Sequence, residues 1–346
     1  MSASLRQAAA VASATLLLLA AGLALGGYDA GAALAALWRG SFGSWYVFTS
    51  ATLVRATPLI VIALGFALAF RGGALNIGAE GQFYAGATAA AWTGLHTGSV
   101  PGPVAIALVW AAALLGGLLW IAVPVLLRLR YGVLEVISTL LLNFVAESAV
   151  SLMVLGPMQE ASRIYPQSDP IAESARLPLL PGTRLHLGIL IALLLAGALW
   201  FIFARTLWGF RLLAAGLGPK AAVVSGGVNV RRATAVALLA SGAIAGLAGG
   251  IEVSGVSYAL YPNLSPGYGF TAIAVALLAR LQPPAIVLSG IFFGALEAGA
   301  GAMQREAGVP AVVVYVVEAT VIIGLLLADA RARRAAIAPA GSAAAA

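Results

Sequence analysis

The stretch Arg71-Gly72-Gly73-Ala74-Leu75-Asn76-Ile77-Gly78-Ala79-Glu80-Gly81-Gln82-Phe83-Tyr84-Ala85 decides how the rest of the chain is read. An apolar run, Pro58 to Phe70, leads into it, and apolar residues resume after it. In lipid an unpaired polar group costs several kcal/mol, so Asn76, Glu80 and Gln82 are tolerated only inside protein or beside water. Gly72 and Gly73 let the chain leave its helix there. Two readings are open on these residues alone. One is a plain cytoplasmic turn between two membrane helices, with Gly78, Gly81 and Gly86 allowing close packing. The other is a polar lining that takes a direct part in the passage of a solute.

The composition around this stretch fixes the broad class. Hydrophobic residues fill 62% of the 346 positions and charged residues 9%, where a soluble domain carries about 25% charged. Mean hydropathy is +1.01. Apolar runs long enough for a bilayer core of ~30 Å recur along the chain, which predicts an all-α, polytopic membrane protein. There is no cysteine, so disulfides and thiol chemistry are excluded. The two histidines, His96 and His186, stand alone, so neither a metal nor any other cofactor is expected. No serine or cysteine sits beside a histidine, and no GxxxxGK[ST] loop is present. The pattern therefore points away from an enzyme. The net charge of +7 is read as cationic cytoplasmic loops, not as a nucleic-acid surface.

In chain order, the first span is Ala8 to Leu25, read as a retained helix because the topology closes only if it stays; a cleaved signal peptide is the competing reading. Tyr28 to Trp45 reads as an external amphipathic segment, with Trp38, Trp45, Tyr46 and Phe48 suited to the interfacial belt. Further spans run from Tyr46 to Phe70, from the opening stretch to Leu95, Val104 to Leu127, Val133 to Leu155, and Leu187 to Ala204. Ala233 to Val253 follows, and in it Gly242, Gly246 and Gly250 recur every fourth residue, a helix-packing face. Phe270 to Ala279 is too short to cross alone and reads as a half-helix or a span extended by its flanks. Pro283 to Met303 and Val309 to Ala328 complete about ten spans. Residues 1–330 are expected to form a single transmembrane domain, and residues 331–346 a disordered cytoplasmic tail.

Orientation follows from lysine and arginine. With both termini in the cytoplasm, Arg71, Arg128, Arg130, Arg280 and the loop Arg205 to Arg232 fall on one face, and the charge-balanced loop Pro157 to His186 falls on the other. The loop Arg205 to Arg232 holds Arg205, Arg211, Lys220, Arg231 and Arg232 with no acid. Its centre, Gly209 to Gly216 followed by Pro219 to Val224, reads as a short helix with apolar and basic faces, ended by Ser225-Gly226-Gly227. Such a helix docks into a groove on a soluble partner or lies as a basic loop against solvent and lipid headgroups. Acids within or near spans are Glu80, Glu135, Glu147, Glu252, Glu297 and Glu318. They leave an ion-coupled secondary transporter of a small polar solute as the alternative function. Against it, Glu80 and Glu135 are expected beside cytoplasmic turns and Glu252 near an outer span end.

Several segments, in order, resemble the permease subunits of bacterial ABC importers of the nucleoside and simple-sugar group, related to branched-chain amino acid permeases. They are GGALNIGAEGQFYAGA from Gly72, GVLEVISTLLLNFVA from Gly132, GFRLLAAGLGPKAA from Gly209, SGAIAGLAGG from Ser241 and PGYGFTAIAVALLAR from Pro266. The resemblance implies a type II ABC-importer-like permease that lines a path for a nucleoside, with a simple sugar ranked second, in the bacterial inner membrane. It implies Asn76, Glu80, Gln82 and Asn143 as path residues. It also implies Gly209, Phe210, Arg211, Gly216, Pro219, Lys220, Ala221 and Ala222 as the segment that engages the ATPase. The implied partners are cytoplasmic ATP-binding subunits that perform the hydrolysis, a second and different permease subunit, an extracytoplasmic solute-binding protein and the lipid bilayer. Where the family has arginine and then asparagine in the coupling segment, this chain has Leu213 and Gly218.

Overall fold

The computed structural model describes residues 17, 20–310, 315, 316, 319, 320, 323 and 324. The chain divides into two units, Met1–Val47 with Ala295–Ala346, and Phe48–Gly294. Among the described residues there is no named strand, only an isolated bridge between Leu179 and His186.

In the first unit, α1 (Ala30–Phe42) is capped by Asp29, whose carboxylate accepts from the Ala32 N–H at 2.9 Å. Asp at this position satisfies one of the donors that a helix start leaves free. The segment Tyr28 to Trp45 is thus largely helical. Gly299, in the helix Pro283–Ala307, faces the Leu37 carbonyl and Ser41. Ser41 donates to the Ala295 carbonyl, and Arg39 pairs with Glu306 at 2.7 Å.

The second unit contains α2 (Leu53–Arg71), α3 (Ala79–Leu95), α4 (Gly102–Tyr131), α5 (Glu135–Leu155), α6 (Gly188–Arg205), α7 (Leu207–Leu217), α8 (Pro219–Gly226), α9 (Val230–Glu252) and α10 (Tyr268–Leu278). The helix α11 (Pro283–Ala307) begins here. Wide π turns, Phe48–Thr52 and Val253–Ser257, precede α2 and follow α9. In α2 every residue from Ala56 to Ala69 is buried, as expected of a helix that is apolar all round. By contrast α5 and α6 bury one stripe and expose the rest. The helix α4 ends at Gly132, whose φ of 69° lets its N–H reach back to the Arg128 carbonyl.

Helices α3, α4 and α9 form the centre and meet at glycines. A Cβ on Gly86 would overlap the Gly246 carbonyl, and one on Gly117 would overlap the Gly242 carbonyl and crowd Gly246. Gly242 packs against Ile121, and Gly250 against Ala113. Without hydrophobic gain between helices in lipid, such backbone approach is what van der Waals packing requires.

The cationic segments gather at one end of this unit. Arg71 lies over the Phe203 ring at 4.7 Å, the Thr234 hydroxyl donates to the Gly72 carbonyl at 2.8 Å, and Arg128 pairs with Glu135 at 2.7 Å. At the opposite end the charge-balanced loop covers the π turn after α9: the N–H groups of Ile171 and Leu177 reach the carbonyls of Tyr258 and Ser254.

Six helices among the described residues are long and apolar enough to cross a membrane: Trp45–Arg71, Gly102–Tyr131, Glu135–Leu155, Gly188–Arg205, Val230–Ser257 and Pro283–Ala307. That is fewer than the ten expected from the sequence, and the count of ten is not established. The expected spans Ala8 to Leu25 and Val309 to Ala328 lie largely outside the described residues, as does the tail 331–346. At 11 residues α10 is a half-helix of about 16 Å. At 17 residues α3 is likewise short, because the segment before it has already re-entered the unit.

Candidate functional site

After α2 the chain does not make a plain turn. Gly73, with φ +81°, reverses it, and residues 74–78 run without helix into the interior, where Ala74, Asn76 and Gly78 are buried. Ser241, the partner of Asn76, lies 11 residues beyond Val230, about 16 Å along α9. Glu80 therefore sits well inside the unit. The expectation that it lies beside a cytoplasmic turn is corrected, because the extended backbone gains depth faster than a helix would.

Asn76 holds this segment. Its Nδ2 donates to Gln82 Oε1 at 2.8 Å and to Ser241 Oγ at 2.9 Å. Its Oδ1 accepts from the Gly78 N–H at 3.1 Å and from Gln82 Nε2 at 2.9 Å. That uses the full capacity of the amide, two donors and two lone pairs. Asn143 adds two bonds from α5, accepting from the Gly81 N–H at 2.8 Å and donating to the Ile77 carbonyl at 2.9 Å. Buried polar groups that are fully paired specify one arrangement of the chain.

Glu80 is placed differently. Its Oε2 accepts from the Gly269 N–H at 2.6 Å, in the first turn of α10, where a helix start favours negative charge. It also lines a recess of about 190 Å³ with Tyr84, Asn143, Phe144, Glu147, Ser265 and Phe270. The Tyr84 hydroxyl accepts from the Ser265 N–H at 3.3 Å. Glu147 is exposed, lies 12 residues into the apolar helix α5, and has no ion-pair partner among the described residues. A carboxylate at such a position faces water or another polar surface rather than hydrocarbon. Thus Asn76, Gln82 and Asn143 come together as a lattice, while Glu80 links that lattice to the recess.

The expected coupling segment forms two helices, α7 and α8. Thr206 caps the first, its hydroxyl accepting from the Gly209 N–H at 3.1 Å. Gly227, with φ +56°, ends the second. Gly209, Leu212 and Ala215 are buried, whereas Phe210, Arg211, Leu217, Lys220 and Val224 are exposed. Gly216 rests on the Arg71 carbonyl and approaches Gly73, so α7 is seated on the turn that opens the polar stretch.

Sequence reasoning did not single out Thr234, Ser265 or Gly269, nor Ser241 as a hydrogen-bond partner. Each lies far along the chain from its partner, and no local pattern names that partner. No group of residues suited to a metal occurs among the described residues.

The family model for the permease component of branched-chain amino acid transport systems matches residues 48–327. The chain is 39% identical to the guanosine ABC transporter permease protein NupP of Bacillus subtilis, over 90% of each chain. It is 35% identical to the glucose ABC transporter permease protein TsgB13 of Haloferax volcanii, over 80% of this chain and 75% of that one. It is 31% identical to the nucleoside ABC transporter permease protein NupB of Lactococcus lactis, over 78% and 77% respectively. With a buried polar lattice in an apolar helical unit and this extent of similarity, the chain belongs to the family of branched-chain amino acid transport system permease components, as a membrane permease subunit of an ABC importer of the nucleoside and sugar group.

Proposed function

We propose that this chain forms one wall of the translocation path for a nucleoside, and that a second, different permease subunit forms the other. The nucleoside assignment draws on the guanosine and nucleoside permeases among its relatives, and the glucose permease keeps a simple sugar as second choice. Glu80 and the recess beside it face the path, and Asn76, Gln82 and Asn143 hold that wall in shape. ATP hydrolysis belongs to separate cytoplasmic ATP-binding subunits, and an extracytoplasmic solute-binding protein delivers the substrate. The membrane is the bacterial inner membrane, with both termini and the cationic end in the cytoplasm.

The observation that carries this reading is the seating of α7 and α8. Their exposed face mixes Phe210, Leu217 and Val224 with Arg211 and Lys220, the composition of a helix that docks into a groove of a soluble partner. Gly216 of α7 rests on Arg71 and Gly73, at the mouth of the polar stretch. Gly209, Gly216, Pro219, Ala221 and Ala222 shape the two helices.

In the complete transporter, Arg211→Glu with Lys220→Glu is expected to lower ATPase stimulation by loaded solute-binding protein about tenfold or more, since like charges placed against each other at an interface are costly. Both side chains are exposed, so the melting temperature should hold. Unchanged stimulation would remove α7 and α8 from the coupling role. Uphill uptake by the chain alone under an ion gradient would establish the ion-coupled carrier instead.

A further inference from the structure

The recess beside Glu80 has an unusual hydrogen-bond balance. Glu80 takes the Gly269 N–H and a side-chain hydrogen bond from Ser265, Asn143 accepts from Gly81 and donates to Ile77, and the Tyr84 hydroxyl takes the Ser265 N–H. The carboxylate of Glu147 remains, exposed and without a cationic partner among the described residues. A carboxylate offers two acceptor oxygens, which a pair of adjacent donors on an occupant matches. Phe144 and Phe270, 60% and 45% exposed, stand beside it. Such rings cover apolar surface on a ligand that also has a polar edge.

We infer that Glu147 holds the translocated solute by a vicinal pair of hydroxyl groups, with Phe144 and Phe270 against the carbon face of the sugar ring. The inference rests on the proposed solute class and deepens it. Two adjacent hydroxyls are the donor pair that a riboside and a simple sugar have in common, so one contact serves both. At about 190 Å³ the recess is smaller than the roughly 300–1,000 Å³ of sites that enclose a whole drug-sized ligand. It takes one ring of the solute, and the remainder extends toward the facing subunit.

The test is equilibrium binding of guanosine and 2′,3′-dideoxyguanosine to the complete transporter in nanodiscs, with the solute-binding protein left out so that its own selectivity does not enter. The wild type should favour guanosine about tenfold or more, the scale of a charge-assisted hydrogen-bonded pair. Glu147→Ala should bring the ratio close to one through loss of guanosine binding, and Glu147→Asp should keep part of the preference. A preference unchanged in Glu147→Ala overturns the inference. So does a variant that loses discrimination between guanosine and inosine while keeping the hydroxyl preference, since the base edge would then be the contact. ATP-driven guanosine uptake without measurable binding in the nanodisc overturns the inference and leaves the solute class standing. Absence of guanosine uptake by the complete transporter overturns the solute class itself.

Discussion

Gly246→Ala is expected to be the most damaging single-methyl change in the membrane unit. The added carbon would overlap the Ala113 carbonyl and lie 2.8 Å from the Gly117 backbone, while Gly86 already presses on the Gly246 carbonyl from α3. Where the obstacle is a flexible side chain, a rotamer change gives relief. Here it is the backbone of a neighbouring helix, so α4 or α9 must move as a body. Overpacking a core costs about 1–3 kcal/mol and occasionally more, and backbone obstacles put this site at the upper end. For a unit of this size that corresponds to a loss of about 6–12 °C in melting temperature. Gly197→Ala in α6 is the matched control, because nothing lies within 4 Å of its added Cβ. Thermal unfolding of the two purified variants decides the point, and equal melting temperatures would mean that the α4–α9 contact is looser than described.

Asn76→Ala is expected to have a still larger effect. It leaves the Gln82 amide, the Ser241 hydroxyl and the Gly78 N–H without a shared partner in a buried setting. Each unsatisfied buried group costs about 1–3 kcal/mol, so a loss of roughly 3–9 kcal/mol is expected if none finds a substitute. The damage should be local. Hydrogen exchange of residues 74–82 should rise while α6, which takes no part in the lattice, keeps its protection. Gln82→Ala in the Asn76→Ala background should add much less than in the wild type, since paired residues share one interaction. Full additivity would show that Asn76 and Gln82 act separately.

Much of this fold was legible because a bilayer demands long apolar segments, and Val104 to Leu127 or Val133 to Leu155 could be no other element. The helix α4 extends its run by a few residues at each end, and α5 begins just inside its own. What could not be read was depth. Residues 74–78 carry no strand or helix signal, and their course into the interior is imposed by Asn143 and Ser241, 62 or more residues away from their loop partners. The chemical types of Asn76, Glu80, Gln82 and Asn143 announced a special site, but the division between lattice and recess depended on who pairs with whom. Glu147 looked like one acid among several. Only its exposure on an apolar helix set it apart. The glycines of α9 showed a packing face by spacing, yet nothing in the sequence paired them with Gly86 and Gly117, which lie in separate helices.

The contact of Gly216 with Arg71 and Gly73 places main chain on main chain. Side chains behave as cushions, taking up small displacements by rotation about their own bonds, and at Gly216 none intervenes. A shift of the helix Leu207–Leu217 must therefore reach the start of the buried segment with little attenuation. From there fewer than ten residues of chain lead to the carboxylate of Glu80. Under the proposed coupling role, movement at this helix and movement at Glu80 are joined by a short run of main chain.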